Sequence, residues 1–242
     1  MKDIEFEKRN KEFLKNMLKD KELRELTRKW FDKAFPYEYS YHFTWLGRPI
    51  FQFPQDLIAL QELIWKIKPE LIIETGIARG GSIIFSASML EMIGKGEVVG
   101  VDIDIRKHNR VEIEKHHLSK RITMLEGPST DKKIISKVEE IAKNKKSVLV
   151  LLDSNHTHEH VLNELKAYSP FVKKGGYVIV YDTMVEDMPE NSFPNRPWSK
   201  GNNPKTAVRE FLEKNNRFKI DKKIEEKLLI TSAPEGYLKC IK

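Results

Sequence analysis

The sequence predicts a doubly wound α/β fold with a mostly parallel sheet, preceded by a helical arm. Three features of the chain carry this prediction. Helical and strand-like patterns alternate regularly from Leu57 to about residue 181, several short apolar runs end in an acid, and the first such run leads into a glycine-rich turn. Such alternation is typical of a parallel sheet with helices on both faces. A chain of 242 residues can bury the core of one such domain.

The elements follow from the spacing of apolar residues. Helices are predicted over 57–66, 82–93, 109–117, 131–143, 158–171 and 204–215. Strands are predicted to begin near 71, 98 and 122 and to span 147–152 and 176–181. Strand-like runs at 217–221, 227–232 and 236–241 end the chain, and we expect the last two to pair as a hairpin at one sheet edge.

The first 56 residues differ in composition from the rest, which predicts a division into 1–56 and 57–242. Residues 1–34 are rich in Lys, Glu and Leu with helical apolar spacing, whereas 35–56 are rich in aromatic residues and proline. The second segment is expected to pack over the cofactor pocket as a cap, with Gln52, Gln55 and Asp56 as candidate pocket residues. A connector that only packs on the core is the alternative.

Charge and apolar content exclude several classes of protein. The net charge is +7, but the lysines are interleaved with glutamates and form no basic stripe, so no nucleic-acid partner is expected. The basic balance favours an anionic substrate, such as a phosphorylated or nucleotide-linked sugar. No apolar run approaches the roughly 20 residues of a membrane span, and no signal-peptide core is visible. The lone Cys240 is consistent with a reducing compartment, so cytoplasmic localisation is expected.

The glycine-rich turn, LIIETGIARGGS at 71–82, indicates a nucleotide-type cofactor site. Glu74 ends the apolar run, and Gly76, Gly80 and Gly81 permit backbone conformations and close approaches that a Cβ would block. The dinucleotide pattern G-x-G-x-x-G is not matched, because Ala78 occupies its second glycine position. A purely structural glycine turn is the alternative.

A second strand supplies an acid for the ribose. Asp102 ends the run EVVGVDID roughly 20 residues after the glycine turn, the distance expected for a ribose-binding carboxylate. A helix cap is the other interpretation of Asp102, and the one favoured for Asp104. The loop of Gly127, Pro128 and Ser129 after the third strand is expected to cover the adenine.

Two more strands end in acids that indicate a metal site. Asp153 follows SVLVLL and Asp182 follows YVIVY, so both lie at carboxyl ends of neighbouring strands, where ligands bind in this architecture. A pair of carboxylates suits Mg²⁺, which would act as a Lewis acid on a hydroxyl. Caps of the following segments are the alternative for both acids.

Three histidines follow Asp153. His156 is the candidate general base, because it remains near the loop and an imidazole can accept a hydroxyl proton. Of the three, only His156 and His160 have the i, i+4 spacing of a helical zinc pair. A position on the helix surface or in the core is the alternative for His158 and His160, and it is the one expected for His160. A non-haem iron site is a further alternative, but the usual close His-x-Asp pair is missing.

Together these motifs resemble the cephalosporin hydroxylase family of S-adenosylmethionine-dependent methyltransferases, to which rhamnosyl O-methyltransferases are similar. The resemblance extends from about Trp45 to Ile241 over long motifs, among them LLDSNHTHEHVLNELKAYSPFVKKGGYVIVYDT. It implies a homo-oligomer and a Mg²⁺ site at Asp153 and Asp182. The cofactor contacts that we expect, most of them implied by the resemblance, are Glu74, Thr75, Gly76, Arg79, Gly80, Gly81, Ser82, Asp102, Ser129 and Asp153.

The sequence departs from its relatives in two places. The antibiotic-pathway member has an acid just before the one matching Asp182, where this chain has Tyr181. The arrangement also looks like catechol O-methyltransferase, whose lysine base corresponds to His156. The expected protein is a Mg²⁺-assisted O-methyltransferase of a small hydroxylated molecule such as a sugar or natural-product intermediate. A metal-independent methyltransferase and a catalytically weak assembly partner are the alternatives. Residues 183–203 are expected to form a lid over the substrate.

Overall fold

The computed structural model describes residues 4–242 and begins with two amphipathic helices. These are α1 (Ile4–Lys19) and α2 (Lys21–Ala34), and the Asp20 side chain caps α2 by accepting a hydrogen bond from the Leu23 backbone N–H. Neither helix buries a residue fully. Two 3₁₀ turns and a small hairpin of β1 (Phe43–Trp45) and β2 (Arg48–Ile50) then lead into the main domain. A helical arm is therefore present, while the boundary at residue 56 stays a prediction.

The main domain alternates helices and strands as predicted. Its helices are α3 (Pro54–Ile67), α4 (Gly81–Ile93), α5 (Lys107–Lys115), α6 (Lys132–Ala142), α7 (His158–Tyr168), α8 (Pro204–Lys214) and α9 (Lys222–Leu228). Its strands are β3 (Leu71–Thr75), β4 (Glu97–Asp102), β5 (Ile122–Glu126), β6 (Val148–Leu152), β7 (Tyr177–Val180), β8 (Phe218–Ile220) and β9 (Tyr237–Cys240). The predicted start of α3 at Leu57 is three residues late, because Pro54 occupies the first turn, where a missing N–H costs nothing.

The seven strands form one sheet in the order β5-β4-β3-β6-β7-β9-β8, with the first five parallel. Residues of β3 and β6 are buried on both faces, which explains their unbroken apolar runs. One core layer contains Ile72 and Leu149, and the opposite layer contains Ile73 and Val150. The predicted doubly wound, mostly parallel fold is confirmed.

Strand register brings the predicted acids to one edge of the sheet. Thr75 pairs with Val101 and with Leu152, and Leu152 pairs with Val180. The carboxyl ends of β3, β4, β6 and β7 are therefore level, and the side chains that end or follow these strands emerge together.

The C-terminal prediction was partly wrong. The run 227–232 is not a strand: α9 ends at Leu228 and a loop follows, so the edge hairpin pairs β9 with β8. Ile224 and Leu228 are spaced four residues apart and partly or fully buried, which is the helical period that the prediction missed.

Within residues 4–242, no helix combines the length and the apolar character that crossing a membrane requires.

Candidate active site

A cavity of about 540 Å³ opens at the carboxyl edge of the sheet. Its inner wall is the glycine turn between β3 and α4, and its floor carries two acids and a histidine. Its outer wall is formed by aromatic side chains from the segment before α3 and from the loop before α8, including Phe31, Phe35, Tyr39, Tyr41, Phe51, Phe53, Phe193 and Trp198. The aromatic segment therefore lines the cavity, while its role as a cap over a cofactor stays a prediction.

The glycine turn packs so closely that side chains are excluded from it. Gly76 has φ +92°, and a Cβ there would lie 2.0 Å from the carbonyl oxygen of Asp153. A Cβ on Gly81 would lie 2.2 Å from the carbonyl oxygen of Pro49. The turn thus keeps its backbone open to the cavity while it is clamped between the loop after β6 and the segment after β2.

Glu74 is a buried carboxylate with one oxygen unused. Glu74 is 2% exposed. Ser82 Oγ donates a hydrogen bond to Glu74 Oε1, and Glu74 Oε2 has no hydrogen-bond partner. Burial raises the pKa of this carboxyl to about 8. A cationic hydrogen-bond donor placed beside Oε2 would satisfy both the charge and the unpaired oxygen.

Asp102 holds the glycine turn in place. Its Oδ2 accepts hydrogen bonds from the backbone N–H groups of Ile77 at 2.8 Å and Ala78 at 3.1 Å. Its Oδ1 accepts from the N–H of Asp104 at 3.1 Å. The contact with a ribose stays a prediction, since these bonds by themselves account for the acid.

The other predicted cofactor residues lie in different surroundings. Thr75 is buried and its hydroxyl has no partner, while the exposed Arg79 guanidinium lies 5.9 Å from the centre of the Phe51 ring and lines the cavity. Ser129 is buried outside the cavity wall, and its Oγ donates to Glu164 Oε1 at 2.5 Å. The predicted contact of Ser129 with adenine has no support from this placement.

Asp153, His156 and Asp182 form what we call the acid–histidine cluster. One ligand atom from each lies within 4.8 Å of the others, and His156 Nε2 is 3.1 Å from Asp182 Oδ2. Burial and the neighbouring Asp182 raise the pKa of the Asp153 carboxyl. Asp182 has φ +54°, a left-handed conformation that a non-glycine residue seldom adopts and that often marks a functional position.

Two carboxylates and an imidazole can bind a divalent cation. The fit is chemical as well as geometric, because two adjacent acids in a partly buried site are costly unless a cation or a proton neutralises them. Among residues 4–242, no other group of three acidic, histidine or cysteine side chains converges in this way. The sequence predicted both acids as metal ligands and His156 as the general base; the structure brings all three together, and their roles stay predictions.

Tyr181 does not replace the missing acid of this cluster. The residue is 4% exposed, and burial, followed by the charges of Asp56 and Asp153, raises the pKa of its phenol well above the usual value. The phenol therefore stays neutral and supplies no anionic ligand.

The prediction of Gln52, Gln55 and Asp56 as pocket residues was right for Gln52 and wrong for the other two. Gln52 lines the cavity, and its Nε2 donates to Asp153 Oδ2 at 2.8 Å. Gln55 and Asp56 do not line the cavity. Asp56 instead accepts hydrogen bonds from Ser232 N–H and Tyr237 Oη, each at 2.8 Å, and so ties α3 to the loop before β9.

His158 and His160 lie outside the cluster, which for His160 was the expectation. His158 contacts Thr206 and Glu210 of α8, and His160 joins Ser129 and Glu164 in a buried polar group.

The loop 183–203 reaches the site through aromatic residues that the sequence did not single out. Trp198 packs edge-on against His156 with ring centres 4.7 Å apart. The ring centres of Phe193 and Phe35 are 5.2 Å apart. The base of the loop is fixed, because Glu186 accepts a hydrogen bond from Gly201 N–H at 2.8 Å and Lys205 pairs with Asp187. The length of the loop and its position after β7 indicated a functional segment in the sequence, but no local pattern singled out Trp198.

The fold and the site define a Rossmann-like methyltransferase. The chain belongs to the rhamnosyl O-methyltransferase/CmcI family, whose model matches residues 37–241. As a member, it is an S-adenosylmethionine-dependent O-methyltransferase.

Individual relatives agree with this assignment. The chain is 29% identical over 199 residues to a rhamnosyl O-methyltransferase of Mycobacterium bovis (strain BCG / Pasteur 1173P2), covering 81% of this chain and 77% of the relative. It is 28% identical over 214 residues to that of Mycobacterium leprae (strain TN), covering 87% of each. The fold is similar to the CmcI-N160 apo structure, with TM-score 0.59, 18% identity and coverage of 84% and 77%. It is also similar to the cmcI-D160 structure with Mg and S-adenosylmethionine, with TM-score 0.56, 17% identity and coverage of 84% and 78%.

Proposed function

We propose that the protein transfers a methyl group from S-adenosylmethionine to a hydroxyl of a small molecule, assisted by Mg²⁺ at the acid–histidine cluster. The observation that carries this proposal is one cavity between the glycine turn and the acid–histidine cluster. Glu74 offers an unpaired buried oxygen at the base of the turn, just behind the lining residue Gly76, and Asp153 with Asp182 lines the cavity. A cofactor and a metal would therefore meet where an acceptor can enter.

The residues at the turn fit S-adenosylmethionine. Glu74 Oε2 has no partner and could accept from the ammonium group, and Gly76 and Gly81 line the cavity where the aminoacyl and ribosyl parts would lie. The cofactor supplies an electrophilic methyl group on a sulfonium. Asp102 would support this site by holding the turn, and a ribose contact from it remains part of the proposal.

The acid–histidine cluster supplies proton handling and orientation. Asp153 and Asp182 would hold Mg²⁺, which as a Lewis acid lowers the pKa of a hydroxyl near it. His156 would accept the hydroxyl proton, while Trp198 packs edge-on against its ring. The closed aromatic wall would exclude water and hold acceptor and donor in line, a positioning effect that needs no covalent intermediate.

The acceptor is proposed to be a sugar or another ring with an apolar face, such as a natural-product intermediate. Tyr41 and Phe51 stack with ring centres 4.3 Å apart on the outer wall, and such faces suit the C–H side of a ring. Arg79 and Arg196 also line the cavity, which favours an acceptor that carries an anionic group. The names of the mycobacterial relatives support a rhamnosyl acceptor as the first to be tested.

A metal-independent methyltransferase is the second candidate, and Tyr181 favours it, since a neutral phenol leaves only two acids for Mg²⁺. Calorimetry with S-adenosylhomocysteine and with NAD, followed by turnover assays in Mg²⁺ and in excess EDTA, tests both. We expect binding of S-adenosylhomocysteine, no binding of NAD, and loss of activity in EDTA. Full activity in EDTA would leave the metal-free enzyme, and tight NAD binding alone would refute the cofactor proposal.

Self-association and cytoplasmic residence are also proposed. Phe13 and Leu26 on the arm are 62% and 54% exposed, so α1 and α2 present apolar surface that a second subunit would cover. Light scattering should show an oligomer for the full chain and a smaller species for a chain beginning near Phe35. The free, buried Cys240 is compatible with a reducing compartment.

A further inference from the structure

The Gln52 side chain has a fixed orientation at the junction of the two acidic sites. The residue is 5% exposed, and its Nε2 donates to Asp153 Oδ2 at 2.8 Å. The N–H side of the amide is the side that can donate to an ionised carboxylate, and it is the side that faces Asp153. The carbonyl Oε1 is therefore turned away from Asp153.

This carbonyl oxygen is buried and has no hydrogen-bond partner. A buried acceptor without a donor is costly, so such an atom in a cavity wall indicates a ligand donor. Gln52 lines the same cavity as Gly76, Gly81 and Ser82. The segment that carries it lies directly on the glycine turn, since a Cβ on Gly81 would meet Ile50 Cα at 2.6 Å.

Glu74 has a matching unpaired oxygen across the turn. Glu74 Oε2 is buried without a partner, and Ser82 Oγ is already committed to Glu74 Oε1. A ligand ammonium has three N–H donors and needs more than one acceptor. Two buried, unpaired oxygens, one acidic and one neutral, therefore lie on residues close to Asp153, and one of these residues, Gln52, lines the cavity.

We infer that Gln52 Oε1 is a second acceptor for the ammonium group of the cofactor, beside Glu74. This inference rests on the proposed function. A neutral amide suits the position, because its N–H side can contact Asp153, whereas a glutamate would add a third negative charge beside Asp153 and Asp182. Gln52 would then connect the cofactor to a metal-binding acid through one side chain.

The alternative role is purely structural, in which Gln52 only orients Asp153. The two roles separate with a ligand that lacks the ammonium group. S-adenosylhomocysteine carries the aminoacyl part, while 5′-methylthioadenosine has the same nucleoside and thioether without it. The quantity that reports the inferred contact is the ratio of the two dissociation constants.

Calorimetry with both ligands on the full-length wild type, Gln52→Leu and Gln55→Leu tests the inference. Gln55 is the matched control, because its Oε1 is also buried and unpaired but does not line the cavity. Gln52→Leu should weaken S-adenosylhomocysteine binding by about 10- to 100-fold, as for a lost hydrogen bond to a charged group, and leave 5′-methylthioadenosine within about twofold. Gln55→Leu should leave the ratio unchanged.

A second variant covers the case in which Gln52→Leu does not fold. Gln52→Met keeps the length of the side chain without either amide atom and should show the same selective loss of S-adenosylhomocysteine binding. An unchanged ratio in a folded variant of Gln52, or an equal loss for both ligands, would overturn the inference. Failure of the wild type to bind S-adenosylhomocysteine would instead refute the proposed function.

Discussion

Glu74 and the acid–histidine cluster are two acidic sites at one sheet edge that differ in their surroundings. Glu74 is a single carboxylate that one hydroxyl contacts, with the second oxygen unpaired. Asp153 instead has a second acid, an imidazole and an amide around it. Burial raises the pKa of both, but Asp182 adds to the effect only at Asp153.

The difference teaches which cation each site can accept. A single buried carboxylate is satisfied by one monovalent donor such as an ammonium group. Two acids with a nitrogen nearby carry enough charge and enough ligand atoms for a divalent ion. If this division is correct, variants of the two sites should lose different ligands.

Asp182→Ala should have the largest effect on catalysis. Removing one of two proposed metal acids should reduce turnover to the level of the wild type in excess EDTA, while S-adenosylhomocysteine affinity stays within about twofold. Steady-state turnover in Mg²⁺ and calorimetry check the two halves of this expectation. Asp104→Ala, which removes an exposed acid near the same sheet edge, is the control and should behave as wild type. An Asp182→Ala enzyme that retains its turnover would break the comparison.

His156→Ala should lower turnover by about 10²- to 10⁴-fold, the usual effect of a lost general base. The loss should shrink at high pH, where hydroxide can take the proton. Metal affinity, measured by calorimetry, should be unchanged if His156 acts as the base. A large fall in metal affinity would show that His156 is a third ligand, as its distance from Asp182 also allows. His158→Ala serves as the control, because His158 contacts α8 instead of the cavity.

The features that the sequence predicted are those fixed by strand position. Glu74, Asp102, Asp153 and Asp182 end or follow parallel strands, and parallel registry alone brings such residues to one edge. The alternation of helices and strands likewise predicted the parallel sheet, because each crossover helix connects two parallel strands.

Contacts between distant segments could not be predicted. Gln52 reaches Asp153 across 101 positions of the chain, and Trp198 reaches His156 through a loop without a periodic pattern. Ser129 lies beside Glu164 instead of the cavity because α7 places a buried acid there, which no local signal revealed. The error at 227–232 had a local cause. A short apolar run can belong to a helix or to a strand, and periodicity over so few residues does not distinguish them.

Glu74→Ala should weaken S-adenosylhomocysteine binding by about 1.5 to 3 kcal/mol, the range for a hydrogen bond to a charged group. Mg²⁺ affinity should not change, which is the reverse of the pattern for Asp182→Ala. Calorimetry with each ligand measures both constants. Asp102→Ala should also weaken cofactor binding by a similar amount, because Asp102 holds the turn on which the cofactor would lie. Equal losses of metal and cofactor in Glu74→Ala would show that the two sites are not separate.

Outside binding and catalysis, Glu74 should also change the stability of the free protein as pH changes. Its folded pKa of about 8 exceeds the usual value of 4.5, so the folded state holds the proton more tightly than the unfolded state. The stabilisation is complete below about pH 4.5 and is lost as pH rises towards 8. Glu74→Gln cannot ionise, so without ligand its melting temperature should rise relative to that of the wild type as pH increases across this interval. The difference should be about 2 to 4 °C for each kcal/mol of unfolding free energy that the wild type loses. Saturating S-adenosylhomocysteine should reverse the trend, because an ammonium beside Glu74 stabilises the ionised carboxylate. Melting curves of both proteins at several pH values, with and without the ligand, measure the difference, and a difference independent of pH would show that Glu74 is ionised in the free protein.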